Sequence, residues 1–313
     1  MREHVRPSVT RAEDVAAYAS AENFPVALRL LPSRYRRHLT SLYCFARLTD
    51  DLGDEATVVG GAEGVRGEKL PPRSEGVLGG VVPPGTTLLR LRLLDELDAD
   101  VRRIYEGGTP DSPVMRSMAE TVRQCGVPAQ PLLDLIQANR QDQQVTRYPT
   151  FAELRQYCEL SANPVGQIVL YIFGVATPGR MKLSANICTA LQLVEHWQDV
   201  AEDLSHGRIY VPAEDLERYG CTEADLAEPT AGAAVRELMS FEVNRAAGLL
   251  DEGAPLVGTL RGAARLAVAG YVAGGRAALA AIRRQRHDVL SGTPRPRKWR
   301  LAGELVKTYV RGR

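Results

Sequence analysis

Two acidic stretches hold the residues best suited to chemistry: Arg47-Leu48-Thr49-Asp50-Asp51-Leu52-Gly53-Asp54-Glu55 and Glu195-His196-Trp197-Gln198-Asp199-Val200-Ala201-Glu202-Asp203. In each, carboxylates recur at i and i+4, which on a helix stacks them on one face a turn apart. Like charges at that spacing repel by roughly 0.2–0.5 kcal/mol per pair unless a cation lies between them. A single pair reads as a solvated helix face. Two such stretches, each set in an apolar helical pattern, read as opposed walls of one magnesium site. Carboxylate oxygens suit Mg²⁺, which keeps several waters and takes one or two carboxylates together with substrate phosphates.

The first wall presents Tyr43, Arg47, Asp50 and Asp54 on one face, with Asp51 rotated by about 100° and left to pair elsewhere. A guanidinium beside the metal suits bidentate contact with phosphate. On the second wall Glu195, Asp199 and Asp203 align at four-residue steps with Gln192 a turn earlier, while Trp197 and Val200 point to a core. Arg208 and Tyr210 follow where a second phosphate contact can form. Such walls hold a diphosphate through bridging Mg²⁺ and stabilise it as a leaving group. The carbocation left behind needs an apolar pocket with few nucleophiles. The run Pro164-Val165-Gly166-Gln167-Ile168-Val169-Leu170-Tyr171-Ile172-Phe173 is a candidate for its lining, with ordinary core packing at least as good a reading.

The elements that must position these residues are helices. Thr10-x-x-Glu13 and Thr150-x-x-Glu153 are capping boxes, and Pro32 to Arg36 prepares a helix carrying Leu39, Leu42, Tyr43, Ala46 and Thr49. Residues 186–204 carry an apolar stripe at 187, 190, 191, 194, 197 and 200, predicting one helix through the second acidic stretch. Further helices are predicted over 230–250 and 256–286. Alternating strand patterns are nearly absent, so the expected fold is all-α. Residues 58–85, rich in Gly, Pro and charge, read as a surface loop first and a mobile lid second. The basic tail, residues 294–313, reads as an amphipathic helix packed through Trp299, Leu301, Leu305 and Val310, or else as a weak contact with anionic lipid.

Bulk properties narrow the function. With 39 basic against 38 acidic residues there is no field of the kind a nucleic-acid binder needs. Five scattered cysteines without a CxxC pair read as reduced thiols of a cytoplasmic protein. Residues 1–21 lack the apolar core of a signal peptide, and 262–282, interrupted by Arg265 and Arg276, reads as a buried helix rather than a membrane span. The scattered histidines argue against zinc, and no nucleophile elbow, Walker loop or dinucleotide fingerprint is present.

Together with Glu22-Asn23-Phe24-Pro25-Val26-Ala27, Leu30-Leu31-Pro32, Arg140-Gln141-Asp142, Arg147-Tyr148 and Ser161-Ala162-Asn163-Pro164-Val165-Gly166, the acidic motifs resemble the squalene and phytoene synthase family, the head-to-head trans-isoprenoid synthases. Within that family the chain is most similar to the hydroxysqualene synthases of bacterial hopanoid biosynthesis. Phytoene and dehydrosqualene synthases tend to have arginine where Gln198 stands. The resemblance implies a single isoprenoid synthase domain over residues 1–313, a helical bundle around a central cavity, with 58–85 as an insertion. It implies two or three Mg²⁺ ions held by Asp50, Asp54, Asp199 and Asp203, with Glu195 at an outer position. It places Arg47, Arg208 and Tyr210 at the diphosphate, Tyr43 and Tyr157 by the reacting carbons, and Asp142 and Gln198 in the same site.

The implied reaction converts presqualene diphosphate and water to hydroxysqualene and diphosphate, without NADPH because water ends it. The alternatives are head-to-head condensation of two prenyl diphosphates and a non-catalytic isoprenoid-binding subunit. A cytoplasmic location is expected, with association with other squalene-pathway enzymes and a peripheral position on the inner face of the membrane, through the basic tail, as further options. Two departures stand out: Glu195 replaces a usual asparagine, and Leu28 a usual serine.

Overall fold

The computed structural model describes residues 31–54, 84–110, 112–296 and 298–311. The Thr10 capping box, the Glu22–Ala27 stretch, Leu28 and residues 55–83 lie outside the described residues.

The first described helix, α1 (Ser33–Asp54), starts after Pro32, whose carbonyl accepts from the Tyr35 and Arg36 amides. Its buried residues Leu39, Leu42, Phe45, Leu48 and Leu52 recur at three and four, so the opposite side of the helix is left for the acidic motif. Helix α2 (Pro84–Tyr105) begins with a proline, so the last two residues of the expected insertion are helical instead. Then come α3 (Pro113–Cys125), α4 (Gln130–Gln141), α5 (Phe151–Ser161) and α6 (Asn163–Ile172). The predicted cap of α5 is present, with Thr150 Oγ1 accepting from the Glu153 amide at 3.3 Å.

Helix α7 (Pro178–Gln198) is longer at its start than the sequence pattern predicts and shorter at its end. Asp199 leaves the helix at φ −112°, ψ 19°, and α8 (Val200–Ser205) resumes after it. The second acidic motif is therefore two helical pieces meeting at Asp199, not one straight stripe. The remaining helices are α9 (Ala213–Arg218), α10 (Glu223–Leu226), α11 (Ala233–Gly253), α12 (Leu256–Thr259), α13 (Gly262–Arg284) and α14 (Lys298–Arg311). The single helix expected over 256–286 is split where Leu260 turns extended, with ψ 162°. Among the described residues the only β-type pairing is an isolated bridge between Arg147 and Ile209, so the fold is all-α as expected.

The core is built on α7, where Ile187, Ala190, Leu193, Val194 and Trp197 are buried, with α11 packed along it. A methyl group on Gly253 of α11 would lie 2.7 Å from the Leu183 carbonyl oxygen and 2.9 Å from the Ile187 nitrogen. Neither backbone atom can move cheaply. Gly253→Ala should therefore cost about 1–3 kcal/mol in urea unfolding, despite alanine being the better helix former.

The apolar run in α6 belongs to this core: Ile168, Val169, Leu170 and Ile172 are buried, so the expectation that it lines the reaction pocket gives way to packing. Helix α13 is the one described helix long and apolar enough to cross a membrane, and most of it is buried inside the protein. It receives α14, with Arg265 Nη2 donating to the Tyr309 carbonyl at 2.6 Å and Arg276 Nη1 to Thr308 Oγ1 at 3.2 Å. The tail thus packs on the body through Leu305 and Tyr309, whereas Val310, expected to point inward, is exposed.

Candidate active site

The two acidic motifs meet across a cavity of about 280 Å³. Asp50 of α1 faces it from one side, and Glu195, Asp199 and Asp203 from the other. Asp142, Tyr157, Gln192, Arg208 and Tyr210 complete the predicted residues on its lining. Tyr43, Arg47 and Gln198 are not on that lining, and the side chain of Asp54 lies outside the described residues. Arg47 instead holds Asp51, the acid predicted to pair elsewhere, with Nε 2.9 Å from Oδ1. Gln198 is turned to the Pro294 carbonyl, which accepts from its side-chain amide.

The first wall is braced by α4 and the turn that follows it. Asn139 Nδ2 donates to Asp50 Oδ1 at 3.1 Å, and Gln143 Nε2 to the Gly53 carbonyl at 2.9 Å. A side chain at Gly53 would run into the Asn139 amide, so glycine is needed for the brace to close. Gly53→Ala should displace Asn139, release Asp50 and lower kcat/KM about tenfold or more, as steady-state kinetics would show.

The second wall is electrostatically loaded. Burial and the neighbouring Asp199 carboxylate push Asp203 up to about 7, against the opposing charge of Arg208. Asp199 is raised as well, first by burial and then by Glu202. Carboxylates held this way favour a cation among them. Among the described residues no three acidic, cysteine or histidine side chains are gathered tightly enough to chelate a metal ion alone. The donor set nevertheless fits Mg²⁺, which needs only a few carboxylate oxygens when water and phosphate supply the rest.

Beside the acids stands an aromatic wall. Tyr210 stacks on His196 with centroids 3.6 Å apart and lies 5.8 Å from Tyr157, and Tyr148 backs both tyrosines at 5.9 and 5.5 Å. Tyr157 donates to Asp142 Oδ2 at 2.9 Å. Burial raises all three phenols above their ordinary value, with Asp142 adding to the effect, so the rings stay uncharged. Burial, helped by Arg208, lowers His196 to about 3, so it too is neutral. Gln192 Nε2 lies 3.2 Å from His196 Nε2 and, as donor, leaves the imidazole proton on Nδ1. That nitrogen is 3.9 Å from Asp203, too far for a direct hydrogen bond and, with a neutral ring, no ion pair.

Sequence reasoning missed Asn139, His196 and Ser161. The Ser161 hydroxyl is buried on the cavity wall without a hydrogen-bond partner, available to a bound molecule. Asn139 was detectable as the residue one turn before Asp142, and His196 as the residue one turn after Gln192.

Known proteins share this architecture. A squalene synthase from Alicyclobacillus acidocaldarius is 36% identical, with a TM-score of 0.72 over 88% of this chain and 94% of that one. The hydroxysqualene synthase of Rhodopseudomonas palustris is 28% identical over 241 residues, 77% of this chain and 72% of that protein. The phytoene synthase of Arthrospira platensis is 29% identical over 239 residues, 72% of this chain and 68% of that protein. The squalene/phytoene synthase profile matches residues 18–300, and with both acidic motifs meeting in one cavity, the chain belongs to the squalene/phytoene synthase family.

Proposed function

We propose that this chain ionises presqualene diphosphate and captures the resulting cation with water, releasing hydroxysqualene and diphosphate. The observation that carries the reading is the convergence of both acidic motifs and a wall of uncharged aromatic rings on a single cavity. Asp50 on one side and Asp199, Asp203 and Glu195 on the other would hold Mg²⁺, which when bound neutralises the diphosphate and makes it a better leaving group. Arg208 brings a fixed positive charge to the same end of the cavity, suited to phosphate oxygens.

As the carbon–oxygen bond breaks, its electron pair leaves on the diphosphate. The electron-rich rings of Tyr157 and Tyr210, both on the lining, stabilise the cyclopropylcarbinyl cation and its rearranged form by about 0.5–2 kcal/mol each. Because the phenols keep their protons, no phenolate stands in the cavity to trap the cation. A neutral His196 adds no repelling charge. Water then adds through oxygen, and its released proton departs with the diphosphate. Turnover in H₂¹⁸O tests the capture step: the reading expects one labelled oxygen in the product by mass spectrometry, and an unlabelled hydrocarbon would contradict it.

A second reading is head-to-head condensation of two prenyl diphosphates. It is favoured by the placement of Gln198, the residue that argues against it in the sequence, which is turned to Pro294 and absent from the cavity lining.

A further inference from the structure

Gln198 has a different task. After α13 the chain reverses through Arg286 and His287, both in left-handed conformation at φ 54° and 59°. Asp288 fixes the turn: its Oδ1 accepts from the Ala231 and Ser291 amides at 3.0 and 3.2 Å, and its Oδ2 from Arg236 Nη2 at 2.7 Å. Gln285 Nε2 donates to the Gly292 carbonyl at 3.3 Å, and Gly292 takes φ 141°, a conformation that favours glycine. The chain then runs to the second acidic wall. Pro294 is buried there, its carbonyl accepting from the Gln198 side chain, and its neighbours Thr293 and Arg295 come close to Asp199.

We infer that Gln198 is a positioning residue: it pins the Pro294 carbonyl and so seats residues 291–296 as a strap against the second acidic wall, next to Asp199. An amide suits this task because it donates to a carbonyl without adding charge beside Asp199. A carboxylate has no proton to donate, and a guanidinium would introduce another cation. Pro294 and Pro296 flank Arg295 and fix φ on either side of it, so a single anchor governs the whole strap. The anchor sits at the end of α7, next to the break at Asp199.

The strap rests on these contacts alone, whereas its effect on substrate binding rests on the proposed function. Hydrogen exchange on the full-length chain separates the two. In Gln198→Met, the amides of Ser291, Gly292, Thr293 and Arg295 should exchange about tenfold faster while those of 187–194 in α7 keep their wild-type rates. Gln198→Glu, of equal length but lacking a donor, should loosen the same segment. Wild-type exchange at 291–295 in either variant overturns the anchor. In kinetics, KM for the diphosphate should rise about tenfold with kcat changed less than about threefold. A fall in kcat at constant KM would instead make Gln198 part of the chemistry and overturn the positioning role. If the wild-type chain turns over no prenyl diphosphate, the proposed function fails and the exchange result still decides the strap.

Discussion

In Asp203→Asn, turnover should fall at least about a hundredfold while the metal-free protein becomes more stable at about pH 8. The two effects share one cause. Asp203 sits at about 7 in the folded chain against an ordinary 3.8, chiefly through burial and then through Asp199. Between those values the folded chain holds a proton that the unfolded chain has released. Stability therefore falls as pH rises through that window, and the full cost is present above about pH 7. A displacement of about three units corresponds to at most about 4 kcal/mol. With the side chain 23% exposed, about 1–3 kcal/mol is the expected cost.

Asparagine removes that cost together with the negative oxygen needed at the diphosphate end. Calorimetry in chelator should show Asp203→Asn melting several degrees above wild type at about pH 8 and level with it near pH 4. Added Mg²⁺ should narrow the gap by stabilising the wild type more. A variant less stable than wild type in alkaline chelator would contradict the electrostatic account of the wall.

Arg245→Met should cost about 3–5 kcal/mol at about pH 8 and distinctly less near pH 5. Arg245 Nη1 lies 2.7 Å from Asp215 Oδ2 and 3.0 Å from both Glu242 oxygens, and its guanidinium covers Phe151 at 4.0 Å and Phe241 at 4.5 Å. Both acids are buried. Burial raises Glu242 to about 8 even with Arg245 opposing it, and Asp215 contributes in the same direction as burial. Without the guanidinium, two buried carboxylates face each other with no cation. Because Arg245 holds Glu242 down, the variant must keep a proton on Glu242 where the wild type begins to lose it, so the cost of the substitution grows as pH rises through about 8. Urea unfolding at the two pH values checks the sign. The network joins α9 and the start of α5 to α11, and α9 follows the segment carrying Arg208 and Tyr210. The variant should accordingly weaken substrate binding as well as stability.

How much was legible in the sequence differs by residue. Asp50, Asp199 and Asp203 were readable because their partners in the pattern are one or a few turns away and helical spacing is local. The break at Asp199 was not, because the apolar stripe runs on past it to Val200 and local spacing gives no sign of it. Gln198 shows the same limit: its type was informative, but its direction was set by a distant carbonyl. The apolar run in α6 was ambiguous by nature, since a core face and a pocket wall demand the same side chains. His196 was passed over because a lone histidine invites a search for metal ligands, whereas its burial makes it a neutral stacking partner. Arg47 falls between these cases, with the i,i+4 partner Asp51 legible and its absence from the cavity lining not.

The most direct test of the central claim is to incubate the purified chain separately with presqualene diphosphate and with farnesyl diphosphate, with and without Mg²⁺, and to identify the products by mass spectrometry. The proposed function predicts that presqualene diphosphate is consumed to hydroxysqualene and diphosphate, only with Mg²⁺ and without NADPH, and that Asp50→Ala abolishes the reaction. Consumption of farnesyl diphosphate alone, or turnover of neither substrate, would contradict it.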